Sequence, residues 1–307
     1  MLLPRGRSPI GIRLIRLGKR KRTPTLFPAT LRPHQAHCGV ILEIAATLTR
    51  MIDLAYVVAG FMVGALVGMT GVGGGSLMTP FLIVLFGVHP ATAVGTDLLY
   101  AAATKTGGTL VHGLLRTVEW RIVTRLAIGS VPATALTLLV VAHLDMDTPV
   151  SRHLITWVLA SALFATAAVL SLRKKIVSVF AERIGELPAR SATMLTVVVG
   201  AALGVLVSVS SVGAGALCAT ALVLLYPHLA VARIVGSDIA HAVPLTLIAG
   251  GGHWVLGSVD TYILGFLLIG SLPGIFVGSW ASVRVADSTL RFILAGVLIV
   301  VGVKLIF

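Results

Sequence analysis

Asp97, Lys105, Asp238 and His241 sit inside long apolar runs of a 307-residue chain. An ionised side chain at the centre of a bilayer costs about 2.5–3.5 kcal/mol on insertion scales, so each needs a partner, water or a task. Both aspartates close a motif that occurs twice. Val72-Gly73-Gly74-Gly75-Ser76-Leu77 precedes Gly95-Thr96-Asp97, and Val212-Gly213-Ala214-Gly215-Ala216-Leu217 precedes Gly236-Ser237-Asp238. Glycine runs let the backbone leave a helix and point successive N–H groups into one concavity, and the half-helix that follows adds the positive end of its dipole. That combination attracts a small anion. The candidate contacts are Thr70, Gly71, Gly73, Gly74, Gly75, Ser76, Thr96 and Lys105 in the first copy, and Ser210, Ser211, Gly213, Gly215 and Ser237 in the second. Close helix packing through small residues is the plainer use of the same glycines.

The ionisable residues also have two readings. In one, Lys105 attracts the anion while Asp97, Asp238 and His241 respond to protons. In the other, the aspartates brace broken helices and Lys105 neutralises a carboxylate. Asp238 and His241 are one helical turn apart, and Asp97 and Lys105 are eight residues apart, so each pair shares a face. On this basis Gly73-Gly74-Gly75 with Lys105 reads as the anion-binding half. Gly213-Ala214-Gly215 with Asp238 and His241 reads as the half suited to packing and proton response. His112 and His253, near segment ends, read as interfacial or structural, and Pro80, Pro132, Pro244 and Pro273 as kinks or helix starts.

Catalytic, cofactor and metal chemistry find no support. The chain has no Gly-x-Ser-x-Gly elbow and no His-Glu-x-x-His pair, and its glycine run lacks the lysine of a nucleotide loop. Cys38 and Cys218 have no paired spacing and read as small packing residues.

Composition puts these motifs in lipid: 57% of residues are hydrophobic, 11% are charged and the mean hydropathy is +1.01. A soluble surface needs about a quarter of charged residues. The net charge of +13 invites a nucleic-acid reading, but residues 1–50 hold ten Lys or Arg against one acid, Glu43, which leaves +4 for the rest. This basic leader, rich in proline, reads as disordered or as the product of a start assigned too far upstream of Met51.

Past the leader the chain forms ten apolar segments, near 54–71, 76–88, 91–113, 122–143 and 153–172, then 192–210, 214–226, 230–255, 262–281 and 288–306. Most are long enough for a hydrocarbon core of about 30 Å, which takes about 20 helical residues. The second of each half is too short and reads as a half-helix or re-entrant arm, tolerated only where protein or a wet cavity satisfies its backbone. The halves, 51–172 and 191–307, flank a basic linker, 173–190. They align at a nearly constant offset: Val72 to Leu77 with Val212 to Leu217 at 140 residues, then Gly95-Thr96-Asp97, His112, Val118-Glu119 and Gly129-Ser130-Val131-Pro132 with their counterparts at 141. Repeats of this kind mark transporters whose site lies between the halves.

The expected fold is therefore all-α, a polytopic transmembrane bundle of two homologous, inverted repeats with half-helices. Positive charge supports the inversion. Arg173, Lys174, Lys175, Arg183 and Arg190 place the linker in the cytoplasm; alternate loops with Arg116, Arg121 and Arg125, with Arg233 and with Arg284 then fall inside, and those with Asp145, Asp147 and Asp260 outside. An eight-span arrangement with parallel halves is the alternative.

From Asp53 to Trp120, through Gly68-Met69-Thr70-Gly71-Val72-Gly73-Gly74-Gly75-Ser76, Gly95-Thr96-Asp97 and Thr117-Val118-Glu119-Trp120, the sequence resembles the sulfite exporter TauE/SafE family of membrane permeases. Ile234-Val235-Gly236-Ser237-Asp238-Ile239-Ala240-His241 and Gly257-Ser258-Val259-Asp260 extend the resemblance through the second half. It implies a multi-pass protein of the bacterial inner membrane that moves sulfite or organosulfonate anions, without cofactor or nucleic acid; homo-oligomerisation stays open. A passive anion channel and a membrane scaffold are the competing readings.

Overall fold

In the computed structural model the described residues are 33–70, 75–144, 148–183, 187–282 and 287–306, and they form ten α-helices with no strand among them. In chain order these are α1 (Pro33–Thr70), α2 (Gly75–Phe86), α3 (Pro90–Leu114), α4 (Trp120–Ala142), α5 (Pro149–Arg183), α6 (Ala189–Ser210), α7 (Ala216–Leu225), α8 (Val231–Val255), α9 (Thr261–Ser282) and α10 (Asp287–Ile306). Backbone packing separates Met1–Thr47 from Leu48–Phe307, and all packing described below belongs to the second unit. In the first, the backbone is helical from Pro33, so helix reaches back into the leader through the apolar stretch Val40-Ile41-Leu42-Glu43-Ile44-Ala45-Ala46. Likewise α5 continues to Arg183, which makes much of the basic linker a helical extension.

Apolar sequence becomes helix here because only helices satisfy their own backbone in lipid. Six helices are long and apolar enough to cross a membrane: α1 from Arg50, α4, α5, α6, α8 and α9. At 12 and 10 residues, α2 and α7 rise only about 18 and 15 Å, half the depth of a bilayer. Buried leucines pack α2 against α5 and α10 through Leu77, Leu82, Leu159, Leu163 and Leu298, and α4, α6 and α7 together through Leu126, Leu203 and Leu222.

The helices of the two halves interlock through contacts that repeat across the duplication. A methyl group on Gly129 or Gly200 would strike the facing backbone at Val197 or Leu126, and one on Gly270 or Gly60 would strike it at Val57 or Leu267. Each residue of the first set lies 140 or 141 positions from its counterpart in the second. Thus α4 lies parallel on α6 as α9 lies parallel on α1, backbone to backbone, through Gly200-x3-Gly204, Gly60-x3-Gly64 and Gly270-x3-Gly274-x3-Gly278.

The central helices α3 and α8 are equivalent to each other and antiparallel. Gly95, near the start of α3, abuts His253 and Ser258 at the end of α8, and Gly236, near the start of α8, abuts His112 and Thr117 at the end of α3. Hydrogen bonds cross in the same way. Asp260 N donates to Thr96 Oγ1 at 3.0 Å, and Glu119 N donates to Ser237 Oγ at 2.8 Å.

Overpacking costs about 1–3 kcal/mol. Gly129→Val and Gly270→Val should therefore each lower the unfolding midpoint in detergent, whereas Gly265→Ala, which meets open space, should leave it in place. Equal midpoints for all three would refute the backbone contacts.

Candidate functional site

The break between α6 and α7 is the centre of the site. Ser211 takes a left-handed conformation (φ 58°) and ends α6, and Gly213 and Gly215 follow at φ 114° and 143°, where a side chain would be strained. The α7 ladder starts with Cys218 N to Gly213 O at 3.4 Å and Ala219 N to Gly215 O at 2.8 Å, so the amides just before Cys218 have no acceptor within the helix. Those amides, with the dipole of α7, form a positively polarised end inside the protein.

From α3, Lys105 crosses to this break, and its Nζ donates to Ala214 O at 2.7 Å. The ammonium is only 7% exposed. Its strongest charge partner is Asp238 on α8, which lies against the Cys218 thiol of α7; its attraction to Asp97 is weaker. Helix geometry explains the ranking. Asp97 is eight residues from Lys105, about 12 Å along α3, whereas the antiparallel α8 brings Ile239, the neighbour of Asp238, against Gly108, one turn from Lys105.

Asp97 is fully buried, and its Oδ2 accepts from Thr79 N at 3.1 Å and Thr79 Oγ1 at 2.5 Å. It therefore braces the first turn of α2, as Asp238 stands against the first turn of α7. Ser211 faces the same carboxylate from the other half, yet Asp97 Oδ1 and Ser211 Oγ make no hydrogen bond. Asp238 Oδ1, Tyr100 Oη and His241 Nδ1 are also buried and unpartnered. His241 Nε2 shares a 2.9 Å hydrogen bond with Ser130 Oγ, and Tyr100, its equivalent 141 residues earlier, neighbours Ser271, the equivalent of Ser130. The result is an occluded polar core along α3 and α8, flanked by both half-helices.

The expected site residues divide accordingly. Lys105, Asp97, Asp238, His241, Ser211, Gly213 and Gly215 meet in this core. Ser210 Oγ donates to Leu206 O at 2.7 Å and accepts from Val212 N at 3.2 Å, so it shapes the break. Thr96 and Ser237 are engaged in the crossed bonds near opposite ends of the central pair. Gly71, Gly73 and Gly74 lie outside the described residues, as do the side chains of Thr70, Gly75 and Ser76. The grouping of Lys105 with the first glycine run falls on residues outside those described; the amine is bonded to the second break, because α3 packs along α8. His112 and His253 have structural partners, Thr117 Oγ1 at 2.8 Å and Ser208 O at 2.9 Å.

Sequence reasoning missed Thr79, Tyr100, Ser130 and the placement of Cys218. Tyr100, one turn after Asp97, carried the clearest signal.

Two apolar clefts lie outside this core. One, of 330 Å³, holds Leu136 and His253; the other, of 950 Å³, holds their equivalents Val277 and His112. Neither is lined by Lys105 or an aspartate.

Apolar helices surrounding a closed, charged core at two broken helices define a multi-pass membrane transporter. The chain belongs to the sulfite exporter TauE/SafE family, whose sequence profile matches residues 56–305. It is 38% identical over 258 residues to the probable membrane transporter protein YjnA of Bacillus subtilis, a match that spans 83% of this chain and all of that one. The probable membrane transporter protein YdhB of the same organism is 27% identical, over 71% of this chain and 86% of its own. No solved structure matches the chain.

Lys105 and Asp238 are opposite charges in one buried core, without a direct ion pair, and leaving a buried charge uncompensated costs up to about 3–5 kcal/mol. Lys105→Met should destabilise the protein by that order in a denaturant titration, and adding Asp238→Asn should recover more than half of the loss. Adding Asp97→Asn instead should recover little. Equal recovery by both aspartate changes would contradict the ranking.

Proposed function

We propose that the protein is a secondary transporter that moves small sulfur-containing anions, such as sulfite or organosulfonates, across the bacterial inner membrane with proton coupling. The observation that carries this reading is the meeting of Lys105 Nζ, the α7 amides that have no acceptor within their own helix and, among the described residues, the unpartnered Ser211 hydroxyl in one buried core. A small oxyanion offers several acceptor oxygens to such donors. The family name points to sulfite, and the relatives' names to membrane transport.

Charge count supports coupling. With Asp97 and Asp238 ionised the core holds two negative charges against one positive, and an incoming anion would add a third. Uptake of a proton by the carboxylate set relieves this imbalance.

The two halves then act as inverted repeats. The equivalent helices α3 and α8 run antiparallel, as an axis in the membrane plane would relate them. The equivalent clefts at His112 and His253 are its two approaches, and the crossed bonds at Ser237 and Thr96 its two closures. The basic residues Arg116, Arg121, Arg125 and Arg233 support a cytoplasmic side for the His112 approach.

The test is flux into proteoliposomes containing the full chain, with sulfite, thiosulfate, sulfoacetate and chloride compared with and without a pH gradient. A saturable sulfur-anion flux that rises with the gradient and falls at least tenfold in Lys105→Met is expected. Non-saturating chloride conduction would favour a channel instead, and absence of all flux a scaffold.

A further inference from the structure

We infer that the coupling proton is carried by Asp97 at Oδ1, next to Ser211, and that Asp238 keeps its charge as a positioning residue for Lys105. This deepens the transporter reading and rests on it for the link to flux, though not for the site itself.

The two buried aspartates are equivalent in sequence but not in surroundings. Asp238 belongs to a closed circuit: Lys105 Nζ donates to Ala214 O, α7 follows that carbonyl, Cys218 of α7 lies against Asp238, and Asp238 balances Lys105. Its charge holds the cation that satisfies a broken backbone. Loss of that charge would leave Lys105 buried on a neutral carbonyl alone.

Among the described residues neither aspartate has a cation at hydrogen-bonding distance, but Asp97 lies eight residues along α3 from Lys105 and feels its charge less. Both of its hydrogen bonds come from Thr79 and fall on Oδ2, where they persist whether the group is charged or neutral. Oδ1 is left over, fully buried, toward a hydroxyl with no other partner. A hydroxyl either donates or accepts. Ser211 can therefore donate to the ionised carboxylate and, after rotating, accept from the protonated Oδ1–H. The proton comes from water and returns to it, with no other bond made or broken.

The position gives this exchange a mechanical outcome. Thr79 belongs to α2 of the first half, and Ser211 is the left-handed residue that turns the chain from α6 toward α7 in the second. One protonation event thus changes a contact between the halves, three residues from the carbonyl that holds Lys105. The titratable groups around Asp97 are Tyr100 and Lys105 on α3, Asp238 and His241 on α8, and Cys218 on α7. Of these, Lys105 is the fixed positive charge, and Asp238 already engages it.

Infrared difference spectra of the full purified chain in lipid, recorded between acid and alkaline buffer, test the assignment without any substrate. A carboxylic-acid carbonyl band should appear on acidification, vanish in Asp97→Asn and persist in Lys105→Met/Asp238→Asn. Ser211→Ala should retain the band at a shifted frequency, which keeps the test open if Asp97→Asn does not fold. Persistence of the band in Asp97→Asn with loss in the double variant would overturn the assignment, as would an unshifted band in Ser211→Ala. In proteoliposomes Asp97→Asn should lose the effect of a pH gradient on sulfite flux while sulfite exchange continues. If no sulfite moves with the native chain, the substrate reading fails and the infrared result still decides the proton site.

Discussion

A helix broken inside a bilayer leaves peptide groups that lipid cannot satisfy, and the architecture follows from how those groups are met. At the α6 to α7 break the answer is a side chain from the other half of the protein: Lys105 Nζ on Ala214 O. A cation placed there needs a counter-charge, which fixes Asp238 on α8. It also needs α3 and α8 in close contact, which the glycines at 95, 108, 236 and 250 allow by bringing backbone and side chains together. The amides at the start of α7 lie beyond the reach of the helix's own carbonyls. The break is thus met structurally at one end and presents donors at the other.

The interlocked packing gives this core its stability and restricts how it moves. Where α4 meets α6 and α9 meets α1, glycine-spaced faces pack backbone on backbone, and such interfaces slide or separate poorly without large loss of contact. The crossed bonds at Thr96 and Ser237 are single hydrogen bonds, each worth about 1 kcal/mol net. They are unequal in their supports: Arg233 pairs with Glu119 beside one, while Asp260 caps the start of α9 through Tyr262 N at 2.9 Å beside the other.

Hydropathy is close to a one-dimensional readout in lipid, so the ten segments, the two short helices and the repeat offset were legible in the sequence. Contacts between halves were less so. Eight-residue spacing put Lys105 and Asp97 on one face of α3, but a face does not reveal the neighbour, and the antiparallel α8 delivers Asp238 instead. Ser210 resembled a ligand and is a local cap, because a hydroxyl at a helix end finds its own i−4 carbonyl first. Thr79 was hidden because an isolated threonine in an apolar half-helix has no periodic signal. The Gly-x3-Gly spacings are visible in the sequence, but a spacing alone does not name the helix that packs on it.

Duplication makes the single lysine informative. The position equivalent to Lys105 is Thr246, whose Oγ1 donates to its own helix at Ala242 O. Two lysines facing two aspartates would close the core as two neutral pairs with no residual charge to exchange. A core without lysine would hold two carboxylates and resist any anion. With one lysine, the core carries a net negative charge when both aspartates are ionised and none when one of them is protonated. One position that differs between the halves thus creates the charge imbalance on which the proposed anion binding and proton coupling rest.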